Sequence, residues 1–293
     1  MNSSSVKLEL LDNSFGNYRD LLTEVTFHPA MAIYLTYMEN PRQDTTYDID
    51  YDVWPHDTLA FQITFPDENY AREILQLFTI GLHQLNMDGT EVLDIDDNPV
   101  PTYNQSDIEN FARVFTGWNY AGCADNNWTW CNPSTPGVDG YAPMEPIEAY
   151  HDIGIKTVLN GEVIAANQSA QQDLTAALDN IFNHPNVPPF ISKQLIQRFI
   201  TSNPSPAYVQ RVAEVFADNG SGVRGDMAAV MRAIFLDDEA RNASFISNND
   251  YGKLKEPLIR YLGLLRALEA KSPTGRYVNW NPEFAYLQRA LGS

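Results

Sequence analysis

A helical apolar period runs through almost the whole chain, and it limits the fold more than any other feature of the sequence. Apolar residues recur at intervals of three, four and seven in segments that begin near Ser, Asp or Pro. These segments cover residues 28–40, 66–81, 106–116, 168–182, 187–201, 206–218, 226–236 and 257–271. Their lengths and short connections predict an all-α, mainly helical fold with antiparallel helix packing and no βαβ series.

Three stretches depart from the helical period. Residues 41–65 are polar and rich in Asp and Tyr, which predicts a long loop with one short strand at 59–65. Turn residues at 88–89 and 97–99 predict a small β-hairpin within 85–103. Residues 119–150 are rich in Gly, Pro, Trp and Tyr, and we expect them to form a long, ordered aromatic loop over the surface.

The length and composition favour one sizeable domain. With 293 residues, of which 44% are hydrophobic, the chain can bury a large core. We therefore expect a single helical domain over residues 1–293. The change of character near residue 150 also allows a division into 1–150, with helices and long loops, and 151–293, a helical bundle.

The charge of the chain excludes several partners. Its 19 Lys and Arg stand against 38 Asp and Glu, which gives a net charge of -19, and no basic run offers a phosphate-binding surface. We expect no nucleic-acid partner. No stretch reaches the roughly 18 to 20 apolar residues that cross a bilayer. The N-terminus lacks the apolar segment of a signal peptide.

The polar face of segment 66–81 is the strongest lead to chemistry. It presents carboxylate, amide and guanidinium groups together: Glu68, Asn69, Arg72, Glu73 and Gln76. Glu68 and Arg72 have the i,i+4 spacing of a helical ion pair. An ion-paired surface helix explains the same pattern, because structural ion pairs outnumber functional sites.

His151 and Asp152 form the second lead, where a polar loop ends. A His that meets a carboxylate can act as a general base or a metal ligand. Because adjacent side chains point apart, we expect a carboxylate from another segment, such as Glu73, to orient His151. The alternative is a loop His that caps a helix or bonds to the backbone.

Helix 106–116 has its own polar pattern. Ser106 and Glu109 have the spacing of a capping box, and Glu109 and Arg113 have that of an ion pair on the outer side of the helix. Arg113 is also available to clamp an anion or a carboxylate.

Two loops raise separate questions. Cys123 and Cys131 are spaced for a short disulfide that would hold a polar aromatic loop, although two free thiols or half of a metal site are alternatives. The loop 94–98 resembles a calcium loop in composition but lacks the ligand spacing of an EF-hand. We therefore expect ordinary turn chemistry in this loop rather than a calcium site.

Four motifs in order resemble those of the bacterial DUF1800 domain family. They are Glu68-Asn-Tyr-Ala-Arg-Glu73 with Gly81, Phe111-Ala-Arg-Val-Phe-Thr-Gly-Trp118, His151-Asp-Ile-Gly-Ile-Lys156 with Leu159 and Gly161, and His184-Pro185 with the helix at 194–199. The resemblance covers about residues 27–270. It implies a largely helical fold and an exported, periplasmic or extracellular location, but no established activity. It also implies a fragment or short member, without a preceding helical region and the closing segment.

The first functional hypothesis is an exported hydrolase. Glu73 and His151 would form its centre and bind a divalent cation such as calcium or transfer protons. Asp152 or Glu68 would complete the catalytic set. Four binding residues would hold a small-molecule or polymer substrate: Asn69, Arg72, Arg113 and Trp118.

The second hypothesis is a non-catalytic envelope or surface-binding module. In this case the same charged residues would form a buried salt-bridge network that fixes helix packing: Glu68, Arg72, Glu73, Arg113 and Asp152. The network would then stabilise the fold without touching a substrate.

Overall fold

Helices make up most of the structure, a computed structural model that describes residues 11–270 apart from 12, 44–64, 125–127, 129 and 130. The α-helices are α1 (Tyr18–Phe27), α2 (Pro29–Tyr34), α3 (Asn69–Glu73), α4 (Gln105–Val114), α5 (Ala170–Asn183), α6 (Val187–Phe199), α7 (Pro206–Ala217), α8 (Met227–Leu236), α9 (Asp238–Arg241) and α10 (Pro257–Ala267). Short 3₁₀ segments lie at Glu148–Tyr150, Leu159–Gly161 and Ala243–Ser247. The predicted mainly helical class is confirmed.

Two small antiparallel sheets complete the regular structure. Strand β1 (Trp118–Asn119) pairs with β2 (Glu145–Pro146), and β3 (Lys156–Thr157) pairs with β4 (Val163–Ile164). The register places Trp118 opposite Pro146 and Lys156 opposite Ile164. The β1–β2 pair draws the two ends of the long aromatic loop together, so that His151 follows directly after a fixed segment.

The stretch predicted as a β-hairpin is more elaborate than a hairpin. The Gln84 amide donates to the Val100 carbonyl, the Val92 amide to Gln84, and the Val100 amide to Val92, at 2.8, 2.8 and 2.9 Å. Three segments spaced by eight residues therefore pair in a closed triangle. We call residues 82–102 the β triangle. The predicted strand at 59–65 lies outside the described residues except for Phe65.

Segment 66–81 is helical but differs from a regular amphipathic helix. The helix begins at Asn69, after the Asp67 side chain accepts the Asn69 amide at 2.8 Å, and it widens into a π-helix at Ile74–Thr79. The Thr79 hydroxyl donates to the Ile74 carbonyl at 2.5 Å, which gives one carbonyl in the wider turn a partner. A π-helix shifts the later residues around the axis.

Aromatic side chains join segment 66–81 to the rest of the core. The Tyr70 ring stacks on Tyr37 with a centroid distance of 4.1 Å and meets Phe115 edge-on at 4.8 Å. Tyr70 and the Thr26 hydroxyl are hydrogen-bonded at 2.7 Å. Burial raises the pKa of both Tyr37 and Tyr70, so the phenols remain protonated and can donate inside the core.

Among the described residues, no helix has the length and apolar character needed to cross a membrane. The longest, α5, has 14 residues, and it is amphipathic, with a polar outer side.

Gly81 ends the π-helix in the left-handed region, with φ of 72°, and it lies against the ring of Phe190. A Cβ at residue 81 would lie 2.5 Å from that ring. Gly161 offers a matched control, because its φ is 73° and a Cβ there would meet nothing within 4 Å.

We expect Gly161→Ala to lower the free energy of unfolding by about 1–2 kcal/mol, the cost of a left-handed Ala. Gly81→Ala should lower it by about 1–3 kcal/mol more, because the Phe190 ring must also move. Urea unfolding of both variants measures the difference. Equal losses would show that the ring contact contributes nothing.

Candidate functional site

The site is built around the last turn of α4, where Arg113 reaches the loop that follows His151. Its Nε and Nη2 donate to the two carboxylate oxygens of Asp152 at 2.9 and 3.0 Å. Its Nη1 donates to the Ile155 carbonyl at 2.9 Å and to the Asn110 amide oxygen at 3.0 Å. Every guanidinium nitrogen is therefore engaged, and the planar, two-bond pairing fixes the loop on α4.

Asp152 is held from several directions. Its Oδ1 also accepts the Gly154 amide at 2.8 Å, while its own amide donates to the Thr116 hydroxyl at 2.9 Å. Burial raises the pKa of the Asp152 carboxyl, but the Arg113 and Gly154 hydrogen bonds outweigh burial and the pKa is lowered overall. Asp152 is therefore a carboxylate at neutral pH.

Residue 154 must be a glycine, because the paired side chains of Arg113 and Asp152 lie close to its backbone. A Cβ at residue 154 would lie 2.5 Å from Arg113 Nη2 and 3.1 Å from Asp152 Oδ1. Any larger residue would displace the guanidinium, since real Cβ atoms do not approach so closely.

Behind Asp152 lies a fully buried set of ionisable side chains: His151, Lys156 and Asp173, with side-chain exposures of 0, 0 and 1%. His151 Nε2 lies 3.1 Å from Asp173 Oδ2, and Nδ1 lies 3.0 Å from the Thr116 carbonyl oxygen. Both ring nitrogens thus have partners within the protein, and neither is open to a substrate.

Lys156 is equally saturated. Its ammonium donates to Asp173 Oδ2 at 2.5 Å, to the Gly154 carbonyl at 3.0 Å and to the Asp152 carbonyl. Three donors therefore meet three acceptors, which offsets much of the cost of burying the charge. We call these five residues the ionic cluster: Arg113, His151, Asp152, Lys156 and Asp173. It joins α4, the 151–156 segment and α5.

A cleft of about 290 Å³ opens on the outer side of the ionic cluster. Glu68, Glu109, Arg113 and Asp152 line it. The Gln105 amide donates to Glu68 Oε1 at 3.0 Å and to Glu109 Oε1 at 3.3 Å, so it connects the two glutamates. We call this the acidic cleft. Three of the residues predicted from sequence, Glu68, Arg113 and Asp152, therefore meet at one surface.

A family model described as a protein of unknown function, DUF1800, matches residues 7–292. This chain belongs to the DUF1800 family. No match was found among curated proteins or solved structures. Two of the motifs that resemble the family lie together in the structure. The residues that they bring to the site are Arg113, Thr116, His151, Asp152, Gly154 and Lys156.

A further DUF1800 motif residue, His184, has a local structural role. Its Nδ1 accepts the Asn186 amide at 3.1 Å, and its carbonyl accepts from Arg224 at 2.9 Å. Burial, followed by the nearby Arg224 charge, lowers the pKa of His184 to about 4. The ring is therefore neutral near neutral pH and serves as a hydrogen-bond acceptor where α5 gives way to α6.

One predicted site residue, Glu73, lies away from the chemistry expected for it. Glu73 makes no contact with His151, whose carboxylate partner is Asp173 instead. Glu73 Oε2 is buried without a hydrogen-bond partner in the described structure, and its charge helps raise the pKa of Tyr103, after burial as the main cause. The predicted pairing of Glu73 with His151 is therefore corrected.

The three remaining binding candidates have structural contacts. Trp118 is 1% exposed and packs edge-on against Phe27 with ring centroids 5.0 Å apart, so it presents no surface to a ligand. Arg72 pairs with Glu68 at 2.9 Å, as its spacing predicted. Asn69 is exposed, and its amide group lies 3.4 Å from the Thr36 hydroxyl.

Sequence reasoning did not predict three residues of the site: Asp173, Lys156 and Glu109. Asp173 interrupts the apolar stripe of α5 formed with Ala170, Leu174 and Ala177, and a single carboxylate in such a stripe is a signal of a buried partner. The predicted capping box of Ser106 and Glu109 is wrong, because Asn104 and Asp107 form the cap of α4. Glu109 is therefore free to line the acidic cleft.

Cys123 and Cys131 form a disulfide. It closes a short loop in which Trp128 stacks on Tyr150, with ring centroids 4.3 Å apart. Trp130, an aromatic residue of the same loop, lies outside the described residues. The bond holds the loop beside the segment that leads into His151.

In the acidic loop at 94–98, the Asp94 side chain is used in the hydrogen bonds of a turn. Asp94 Oδ1 accepts the amides of Asp96 and Asn98 at 2.8 and 2.9 Å, and these bonds lower the Asp94 pKa. Within the part of the chain that the structure describes, no three His, Cys, Asp or Glu side chains are arranged to hold a metal ion.

Asp173→Ala should lower the free energy of unfolding by about 3–5 kcal/mol, because it leaves the Lys156 charge buried and unpaired. Asp179→Ala on the same helix is the matched control. Asp179 pairs with Arg19 at 2.8 Å but is 56% exposed, so its loss should cost no more than about 1 kcal/mol. Denaturant unfolding measures both. Losses within about 1 kcal/mol of each other would contradict the role given to the ionic cluster.

Proposed function

We propose that this DUF1800 protein is an exported, non-catalytic binding module whose ionic cluster braces its helices. The burial of three of its five residues carries this proposal. Catalytic groups must reach a substrate, whereas His151, Lys156 and Asp173 are each no more than 1% exposed. Their hydrogen bonds are made to one another and to the backbone, as expected of a brace.

The disulfide supports the exported location. Disulfides persist in oxidising compartments and are rare in the cytosol, where thiols are kept reduced. The bond between Cys123 and Cys131 would therefore form after export and fix the loop next to the ionic cluster.

A second candidate is a hydrolase that works in the acidic cleft. Two carboxylates at the mouth of one cleft can act as acid and base, or hold a divalent cation such as calcium. The Gln105 amide brings Glu68 and Glu109 together there. In this form of the hypothesis Glu109 takes the catalytic role predicted for Glu73 and His151.

A broad hydrolase panel, run with and without added calcium, separates these candidates. We expect no turnover that Glu68→Gln or Glu109→Gln abolishes, since the proposed module performs no chemistry in the acidic cleft. Glu214→Gln, on the exposed side of α7, is the control. Turnover by the wild type and Glu214→Gln that disappears in Glu109→Gln, with folding intact, would establish the hydrolase instead.

Thiol labelling tests the exported location. In protein recovered from the envelope or the medium, Cys123 and Cys131 should react with an alkylating reagent only after reduction and unfolding, because both sulfurs are in the disulfide. Recovery of the protein in the cytosol with both thiols free would contradict export. Peptide mapping by mass spectrometry reads out the two states.

A further inference from the structure

A groove unrelated to the ionic cluster runs between the π-helix, α6 and the β triangle. It consists of two adjoining cavities of about 390 and 400 Å³, which share Leu85, Glu91 and Lys193. Each is within the size range of ligand sites in proteins.

One wall of the groove is a single stripe of α6. Phe190, Lys193, Gln194 and Gln197 follow the i, i+3, i+4, i+7 spacing and line the same cavity. The opposite wall comes from the π-helix and the start of the β triangle. It includes Leu77 and Leu82, which are 50 and 52% exposed. Such exposed apolar side chains in a concave surface are typical of binding sites.

A histidine oriented by a carboxylate lies on this wall. His83 Nδ1 is 3.0 Å from Glu91 Oε1, and both side chains line the groove. Because Nδ1 is engaged by the carboxylate, Nε2 remains for a hydrogen bond with a ligand. Nε2 makes no hydrogen bond to another described residue. The pair therefore presents one polar atom, His83 Nε2, to a ligand.

The charges of the groove disfavour an anionic ligand. Lys193 donates to the Gly89 carbonyl at 3.0 Å, and Glu91 is paired with His83. A second carboxylate, Asp88, lines one cavity and accepts hydrogen bonds from the amide and hydroxyl of Thr90. Among the described residues, no other Lys or Arg lines either cavity. The chain as a whole carries a net charge of -19, which repels polyanions.

The wall formed by α6 and the π-helix presents three amide side chains: Gln76, Gln194 and Gln197. Gln194 donates to the Leu77 carbonyl at 3.4 Å and Gln197 to the Ser202 carbonyl at 3.2 Å. Their amide oxygens can accept hydrogen bonds from the hydroxyl groups of a sugar. Phe190 and the two exposed leucines supply apolar contacts suited to the C–H faces of sugar rings. This alternation of amide and apolar groups matches a carbohydrate better than a charged or wholly apolar ligand.

We propose that this groove binds a neutral oligosaccharide, with the ring faces on Phe190, Leu77 and Leu82 and a hydroxyl group hydrogen-bonded to His83 Nε2. The inference rests on the proposed binding function and gives the module a ligand class. It requires no contribution from the acidic cleft or the ionic cluster.

Calorimetric titration of the full chain with neutral tetra- to hexasaccharides tests the proposal, using cello-, xylo-, malto- and chito-oligosaccharides. At least one series should bind, and oligogalacturonate should not. His83→Ala and Gln194→Ala should each raise the Kd of the bound series about three- to tenfold, the effect of one lost hydrogen bond. Gln171→Ala, an exposed glutamine on α5, is the matched control and should leave the Kd unchanged.

Three outcomes would overturn the groove assignment: no binding of any neutral series, binding that both groove variants leave unchanged, or tighter binding of oligogalacturonate. Product analysis of the same mixtures separates this failure from failure of the proposed function. Binding that depends on His83 and Gln194, accompanied by cleavage of the sugar, supports the groove and contradicts the non-catalytic module.

Discussion

The site depends on the contacts that the buried Asp173 carboxylate makes with Lys156 and His151. Asp173 is 1% exposed, and a buried carboxylate is stable only when its charge is compensated nearby. Lys156 and His151 supply that compensation through one oxygen, at 2.5 and 3.1 Å. Because α5 carries Asp173 and the loop carries the other two, the position of the loop on the helices follows from this single requirement.

The consequences extend to the surface. Once His151 and Lys156 are fixed, Asp152 faces α4, where Arg113 binds both of its oxygens. The same guanidinium then lines the acidic cleft together with Glu68. The ionic cluster therefore has buried residues that hold the helices together and residues that line an open cleft. This combination explains why a sequence pattern of this kind resembles an active site.

The parts of the fold that could be predicted are those fixed by local chemistry. Helix α5 shows its apolar period and its Ser169 cap directly in the sequence, and the Glu68–Arg72 pair needs only a spacing of four residues. The choice of Asp173 over Glu73 as the partner of His151 could not be predicted in this way, because it depends on which helices pack together. The closed β triangle likewise rests on non-local hydrogen bonds, whereas its turn residues indicated only a hairpin.

The most direct test of the brace is a double-mutant cycle that combines Asp173→Leu with Lys156→Met. Each single variant leaves an opposite charge buried, whereas the double variant removes both charges and retains apolar volume. The account predicts that the double variant unfolds at a higher urea concentration than either single variant. Losses that add within about 0.5 kcal/mol would contradict it, because independent residues add in this way.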